Sequence, residues 1–276
     1  MAHCIVPEAE AILDKEFPVH NHGFVRLVDY LGGDERVVQA ARVSYGEGTR
    51  TVREDAALID YLLRNEHTSP FEQVVLTFHI KLPIFVARQW IRHRTARLNE
   101  ISGRYSILKD EFWLPSPDAV AKQSKDNKQG RTDEPFSPET ARTVISSMEK
   151  EQQHAYEHYS QLLEMEVARE LARVNLPLST YTEWYWQMDL HNLLRFLMLR
   201  LDHHAQREIR EYAQVIYDIT KKVAPLTCAS FENHVLKGTR LSGEETAIIR
   251  KLWNGENITI DERTKRILEE KLNSKF

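Results

Sequence analysis

Hydrophobic residues in the first hundred positions follow two periods, which predict helices and strands in turn. Residues 24–44 are expected to form a short strand, a Gly-Gly turn and a helix. Apolar residues share one helical face in residues 53–66, whereas residues 73–82 alternate strictly, as in a half-buried strand. Pro83 suits the first turn of the helix that follows. Residues 92–105 therefore begin near the end of a helix and continue as irregular or extended chain.

The second half of the chain is dominated by helical spacing. A long helix or helical hairpin is predicted between residues 141 and 172, and Pro177 interrupts it. Leucines recur at helical spacing across residues 189–201, and residues 204–223 continue as helix. Two short amphipathic helices are expected after residue 238. The pattern predicts a mixed α/β fold (α+β) that is rich in helix and has a small central sheet.

Residues 116–140 interrupt the hydrophobic pattern. The segment is polar and rich in Pro, Lys, Asp and Gln, a composition that cannot bury a core of its own. We expect an exposed loop or insertion here.

Composition narrows the class of protein. The 276 residues include 37 Lys and Arg against 41 Asp and Glu, a net charge of −4. This balance argues against a general nucleic-acid binder, because such proteins are strongly basic. Two cysteines make no disulfide framework, and no apolar run is typical of a signal peptide or approaches the roughly 20 residues of a membrane span. We expect a cytoplasmic protein that binds neither nucleic acid nor membrane.

Positive charge is nevertheless concentrated in "RHRTARLNEISGRY", residues 92–105. Its arginines are Arg92, Arg94, Arg97 and Arg104. Guanidinium groups present a rigid fork of donors that matches phosphate oxygens. Because Arg92, His93 and Arg94 are adjacent, they cannot share one helix face. They either meet one anion where the helix ends, or face different ligands, or form a solvated helix terminus.

The second half of this stretch permits two interpretations. On an extended segment Glu100, Ser102 and Arg104 point the same way and form a row suited to a polar ring and its phosphate. The alternative is a solvent-exposed edge strand.

A second basic group lies later in the chain. His191 and Arg195 share a helix face, whereas Arg200 serves a different surface of the same helix, and Arg173 precedes them. A helix between two ligands or at a subunit interface has this pattern, as does a surface helix with scattered cations. The chain has neither G-x-G-x-x-G nor a Walker A sequence, so arginines are the candidates for holding a nucleotide or flavin.

The remaining groups of histidine, acidic and cysteine residues do not predict a metal site or a nucleophile. His154 and His158 lie at helical spacing without the H-E-x-x-H order. Asp202, His203 and His204, with Glu208 one turn later, resemble a metal site, but such clusters more often lie on surfaces or contact substrate. We predict no metal. The cysteines, Cys4 and Cys228, lack a catalytic context.

Several separated blocks occur in the order of one known family. Arg92-His93-Arg94, seven residues and then Ser102 match an RHR-x7-S motif. "HTSPFEQVVLTFHIKLPIFVARQW" precedes it, and "NLPLSTYTEWYWQ" and "LRLDHHAQREIREYA" follow. The chain resembles the flavin-dependent thymidylate synthases across residues 23–237. Outside the resemblance lie an N-terminal extension, 1–22, a polar insertion, 118–140, and a C-terminal helical extension, 238–276.

The resemblance implies an activity, its cofactors and an assembly. The family methylates dUMP to dTMP with methylenetetrahydrofolate as carbon donor, and FAD reduced by NADPH supplies the hydride. Its α/β fold assembles as a homotetramer in which each active site is built from several subunits. We therefore expect dUMP, folate and further copies of this chain as partners.

The resemblance also assigns residues to ligands. It places FAD at Ser69, Arg92, His93, Arg94, Glu100, Asp189, His191 and Arg195, with His67 and His204 nearby. It places dUMP at Gln89, Trp90, Ile91, Arg92, Glu100, Ile101, Ser102, Gly103, Arg104, Arg173 and Arg200. A carboxylate would repel the FAD phosphates, so Asp189 is expected to touch the ribose or adenine, through its side chain or its backbone. Arg97 receives no ligand.

Chemistry at the uracil ring points to one catalytic residue. Methylation requires electron density at C5, and neither cysteine is suited to create it by attack at C6. We expect Arg200 to favour the N3-deprotonated, enolate-like pyrimidine by donating to its polar edge. Ser102 has no adjacent base, so we assign it to binding. The alternatives are a nucleotide- or RNA-binding protein without redox chemistry, and a metal-dependent phosphohydrolase using Asp202, His203 and His204.

Overall fold

The computed structural model describes residues 4–43, 52–125 and 130–273. Its main sheet is antiparallel, with the strand order β1-β2-β3-β7-β4. These strands are β1 (Glu16–Val19), β2 (Gly23–Leu31), β3 (Val75–Pro83), β4 (Arg97–Glu100) and β7 (Tyr181–Asp189). A separate two-stranded hairpin consists of β5 (Ala121–Gln123) and β6 (Arg131–Pro135).

Helices lie before, between and after these strands in the chain. They are α1 (Pro7–Glu10), α2 (Asp34–Arg42), α3 (Val52–Arg64), α4 (Ile84–Trp90), α5 (Pro138–Glu164), α6 (Arg169–Ala172), α7 (Leu190–Arg200), α8 (Arg207–Val223), α9 (Pro225–Phe231), α10 (Gly243–Trp253) and α11 (Glu262–Asn273). Short 3₁₀ turns lie at Phe71–Gln73, Pro117–Ala119 and Arg173–Asn175, and a π-helical turn lies at Glu232–Leu236. The predicted helix-rich α+β class is confirmed.

Most predicted elements are present, with one central omission. The strand and helix of residues 24–44 are β2 and α2, and the alternating segment 73–82 is β3. Pro83 ends β3 and is the N-cap of α4 rather than a residue inside it. The sequence pattern did not predict β7, although Trp184, Trp186 and Met188 alternate there as buried residues.

One face of the sheet holds the aromatic core. Trp90 of α4 packs at 4.8 Å between ring centroids against Phe196 of α7. It also meets Trp184 and Trp186 of β7 edge-on, at 5.8 and 5.3 Å. Tyr212 of α8 closes the cluster, at 6.0 Å from Trp90. This packing fixes the end of α4 and the middle of α7 relative to β7.

The polar segment 116–140 is more ordered than its composition predicts. It contains the β5–β6 hairpin and the start of α5, and Ala119 and Val120 are buried. Arg131 of β6 ties the hairpin to Glu208 of α8 at 2.6 Å. Most described residues of the segment are nevertheless exposed or half-buried, residues 126–129 lie outside the described ranges, and the assignment as an insertion stays a prediction.

The two ends of the chain differ in how they join this core. β1 pairs with β2, so part of residues 1–22 belongs to the main sheet. Helices α10 and α11 are joined by an ion pair between Glu245 and Lys271 at 2.7 Å. The division at residues 22 and 237 stays a prediction. Within the described ranges, no helix is both long and apolar enough to cross a membrane, and the cytoplasmic location stays a prediction.

Candidate active site

The RHR motif occupies the turn between α4 and β4, as the sequence predicted. Helix α4 ends at Trp90, and His93 N donates to the Trp90 carbonyl at 3.0 Å, which closes the turn. β4 then begins at Arg97 and pairs with β7 along its whole length. The motif is thus held between a buried helix end and a sheet edge, with Arg92 and Arg94 exposed on both sides of half-buried His93.

His93 and Arg200 form the best-defined contact of the site. Arg200 Nε, at the end of α7, donates to His93 Nε2 at 3.0 Å. Burial, and then the Arg200 charge, lower the pKa of His93 from 6.5 to about 4. Burial also lowers the pKa of Arg200 from its ordinary value. A neutral His93 with its proton on Nδ1 therefore accepts from Arg200, and the terminal nitrogens of Arg200 bond to no other described residue.

His93 should stay neutral to far lower pH than an ordinary histidine. In the unfolded chain it takes up a proton near pH 6.5, whereas the folded protein takes it up near pH 4. As pH falls through this window the unfolded state binds more protons, so the free energy of unfolding should fall. NMR titration of the imidazole checks this, and Arg200→Ala should raise the His93 pKa. A wild-type midpoint near 6.5 would contradict the assignment.

The nucleotide half of the motif is not one extended row. β4 ends at Glu100, and Ser102 begins a turn in which its carbonyl accepts from Tyr105 N and Ser106 N, each at 3.0 Å. The expected common direction of Glu100, Ser102 and Arg104 on an extended strand was therefore wrong. The turn brings Arg104 N to 3.3 Å from Ser102 Oγ, where the backbone N–H and the hydroxyl lie together.

Gly103 and Arg173 lie against each other, although 70 positions separate them in the chain. A Cβ added to Gly103 would lie 3.0 Å from Arg173 Cδ and 3.3 Å from Nη1. Arg104 Nε pairs with Glu170 Oε2 at 3.1 Å, and both side chains are exposed. Two arginines predicted to bind dUMP thus lie beside the Ser102 turn.

Thr182 and Gln206 hold two of the predicted site residues. Thr182 Oγ1 of β7 donates to Glu100 Oε1 at 2.6 Å. Gln89 Nε2 of α4 donates to Gln206 Oε1, just before α8. Sequence reasoning assigned neither partner, because both contacts join distant parts of the chain and leave no local spacing to detect.

The side chain of Trp90 is fully buried in the aromatic core. Its assignment to dUMP stays a prediction, and the burial of the indole means that the contact would be made by the Trp90 backbone. Its predicted neighbours Ile91 and Ile101 are exposed, at 36% and 43% of their surface.

Asp189 has a structural role that the sequence prediction did not include. It is the N-cap of α7, where Oδ1 accepts from Asn192 N at 2.9 Å and Oδ2 from Asn192 Nδ2 at 2.8 Å. Each carboxylate oxygen accepts one bond there and can accept another, so the expected contact with ribose or adenine stays a prediction. His191 and Arg195 follow on α7, and Ser69 lies exposed in the turn before β3.

Unpaired arginines set the charge of the site. Among the described residues, none of five predicted ligand-binding arginines forms an ion pair: Arg92, Arg94, Arg173, Arg195 and Arg200. Uncompensated guanidinium groups on an acidic chain suit ligands with several phosphates. The donor set thus fits the diphosphate of FAD and the phosphate of a nucleotide.

Asp202, His203 and His204 lie together on the surface after α7. Their potential ligand atoms are within 4.8 Å of one another, and all three residues are exposed. Asp202 Oδ1 accepts from His204 N at 2.8 Å, so the group is held by its own hydrogen bonds. Glu208 is not part of it, because its carboxylate is buried with Arg131.

Comparison with known proteins relates this site to a family. Residues 26–226 match the family model described as "Thymidylate synthase complementing protein". The chain is 63% identical over 262 residues to the "Flavin-dependent thymidylate synthase" of Treponema denticola, covering 95% of this chain and 98% of that protein. It is 58% identical over 239 residues to the protein of the same name from Thermus thermophilus, covering 87% and 86%.

Solved structures give a consistent result. The chain is similar to a UMP/dUMP methylase, PolB of Streptomyces cacaoi, solved with 5-Br UMP, with a TM-score of 0.71 and 32% identity. The match covers 79% of this chain and 96% of that one.

The fold and the sequence similarity together define an enzyme with a helix-rich α+β fold and exposed arginines at one sheet edge. The chain belongs to the flavin-dependent thymidylate synthase family. Its reaction is flavin-dependent synthesis of dTMP, and the resemblance drawn from the RHR-x7-S motif is confirmed. This assignment decides against the RNA-binding and phosphohydrolase alternatives.

Proposed function

We propose that this chain methylates C5 of dUMP with the carbon of methylenetetrahydrofolate, using FAD reduced by NADPH. FAD, when bound, supplies the hydride that completes the new methyl group. The observation that carries the proposed mechanism is the hydrogen bond from Arg200 Nε to neutral His93. It holds the Nε edge of the guanidinium and leaves the terminal N–H groups for the substrate.

Arg200 is the proposed catalytic residue. Its charge is half-buried, so it interacts with a developing anion more strongly than an exposed arginine would. Donation to a pyrimidine carbonyl favours the N3-deprotonated ring and raises electron density at C5. The low pKa of His93 supports this role, because a neutral imidazole accepts from Arg200 instead of repelling it.

The Ser102 turn is the proposed site of the dUMP phosphate. Arg104, Arg173 and the backbone around Gly103 offer several donors in a small space. Glu100, held by Thr182, is proposed to accept from the nucleotide or the flavin. Gln89, Ile91 and Ile101 complete the surface around the nucleotide, with only the backbone of Trp90.

The flavin is proposed to bind where the exposed cations remain without partners. Arg92 and Arg94 suit its diphosphate or the N1–C2 edge of its ring. His191, Arg195 and Ser69 lie on the segments around α7 and before β3 and are proposed to meet its other end. Asp189 is proposed to act there by holding the start of α7.

A homotetramer is proposed for the working enzyme. Large apolar residues remain exposed in β4 and α6 and in the segments that follow each of them, which is unusual for a free surface. They are Leu98, Ile101, Tyr105, Ile107, Leu171, Val174 and Leu178. Burying them against further copies would allow residues of several subunits to share one active site.

Spectroscopy and turnover test the proposed function. We expect the purified protein to be yellow, or to become so with FAD, and to oxidise NADPH in a dUMP-dependent way when the folate is present. The matched control replaces dUMP with dCMP, which lacks the N3–H of uracil. A protein that binds neither FAD nor dUMP would refute the proposal.

A further inference from the structure

Four polar side chains connect the predicted nucleotide site to the β5–β6 hairpin, called the insertion hairpin below. Gln89 Nε2 donates to Gln206 Oε1, and Gln206 Nε2 donates to Glu208 Oε2 at 2.7 Å. Arg131 Nη2 donates to the other oxygen of the same carboxylate, Glu208 Oε1, at 2.6 Å. Of these residues, only Gln89 is assigned to a ligand.

The carboxylate of Glu208 determines how both amides are turned. A carboxylate paired with a guanidinium only accepts hydrogen bonds. Gln206 must therefore turn its NH₂ group toward Glu208, which leaves its carbonyl oxygen facing Gln89. Gln89 must in turn present its NH₂ group to Gln206. One N–H and the carbonyl oxygen of Gln89 then remain for a ligand.

Burial changes along this chain of contacts. The Glu208 side chain is 3% exposed, whereas Gln206 lies at the surface and Gln89 is half-buried. Within this series of hydrogen bonds, the charged pair of Glu208 and Arg131 is therefore the fixed end. Arg131 also donates to the Ala119 carbonyl at 3.1 Å. A buried carboxylate paired with a guanidinium keeps one position, so it sets the orientation of the Gln206 amide and, through it, of the Gln89 amide.

We propose that Gln206 and Glu208 are positioning residues that hold the Gln89 amide in one orientation for dUMP. This inference rests on the proposed dUMP site. It also gives the insertion hairpin a part in substrate binding, because Arg131 supplies the counter-charge of Glu208. Neither Gln206 nor Glu208 needs to touch the nucleotide.

The test compares dUMP affinity with FAD affinity in the flavin-loaded enzyme. Gln206→Ala removes the hydrogen bonds that join Gln89 to Glu208. Gln206 is exposed and its side chain makes no helix-cap bond, so folding should be preserved. We expect the Kd for dUMP to rise about three- to tenfold, as for loss of one hydrogen bond, while the Kd for FAD is unchanged. Glu208→Gln should also raise the Kd for dUMP.

A double-mutant cycle separates positioning from general damage. In the Gln89→Ala background, Gln206→Ala should weaken dUMP binding no further, because the residue it orients is gone. Glu211→Gln is the matched control: it lies one turn along α8, lines the same cavity as Glu208, and bonds to His20 and Arg207 instead. It should leave the Kd for dUMP unchanged.

Three results overturn the inference, and the last of them can be told apart from the others. If wild-type enzyme binds dUMP and Gln206→Ala binds it equally well, or if the two losses simply add, the positioning role is wrong. If wild-type enzyme binds no dUMP, the proposed function fails together with the inference.

Discussion

Arg200→Ala is expected to lower the kcat for dTMP formation by about 10²–10³-fold, the usual loss when one preorganised donor to a developing anion is removed. FAD should remain bound, because the exposed arginines proposed to hold it are untouched. Reduction of the flavin by NADPH should also persist. The measurement is dUMP-dependent oxidation of the reduced flavin, followed in a single turnover.

Charge and geometry can be separated at this position. Arg200→Lys keeps a cation but cannot donate both to His93 and, through a planar fork, to the pyrimidine, so its rate should lie between those of wild type and Arg200→Ala. Arg240→Ala, at a side chain that is 84% exposed, is the control for loss of an arginine and should have full activity. Wild-type turnover in a folded Arg200→Ala protein would rule out the activation role.

Trp90→Ala should have the largest effect on stability. The side chain is fully buried and contacts four aromatic rings, from Trp184 and Trp186 to Phe196 and Tyr212. Truncating such a residue costs about 3–5 kcal/mol of unfolding free energy. Thermal unfolding should shift down by roughly 10 °C, following the size scaling for a chain of this length.

Two further variants make the Trp90 prediction specific. The Trp90 indole N–H is buried without a partner among the described residues, so Trp90→Phe loses volume but no hydrogen bond and should keep most of the stability. Its Kd for dUMP should match wild type, since the side chain lies in the core. Trp253→Ala, at 88% exposure, should change nothing. An unchanged melting temperature for Trp90→Ala would contradict the packing.

The aromatic core also explains why parts of the site could be predicted and others could not. The alternation of residues 73–82 and the leucine spacing of 189–201 are local patterns, and both gave the correct element. β7 has the same alternation, but helical flanks and a preceding Pro177 obscured it. Trp90 was assigned to the ligand through its place in a motif, and only packing showed that its side chain points into the core.

The sequence by itself determined the family, the helix-rich α+β class, and the end of a helix at the RHR motif, because each of these depends on residue order and local period. Tertiary structure decided which side chains meet. The bond between Arg200 and His93, the approach of Arg173 to Gly103, and the anchoring of Gln89 through Gln206 and Glu208 each join residues 70 or more positions apart. Local periodicity carries no information about such pairs, since their distance is fixed only when β7 and the surrounding helices pack around one core. Asp189 shows the same division: the family resemblance assigned it to the flavin, and only the structure showed that its carboxylate also caps the first turn of α7.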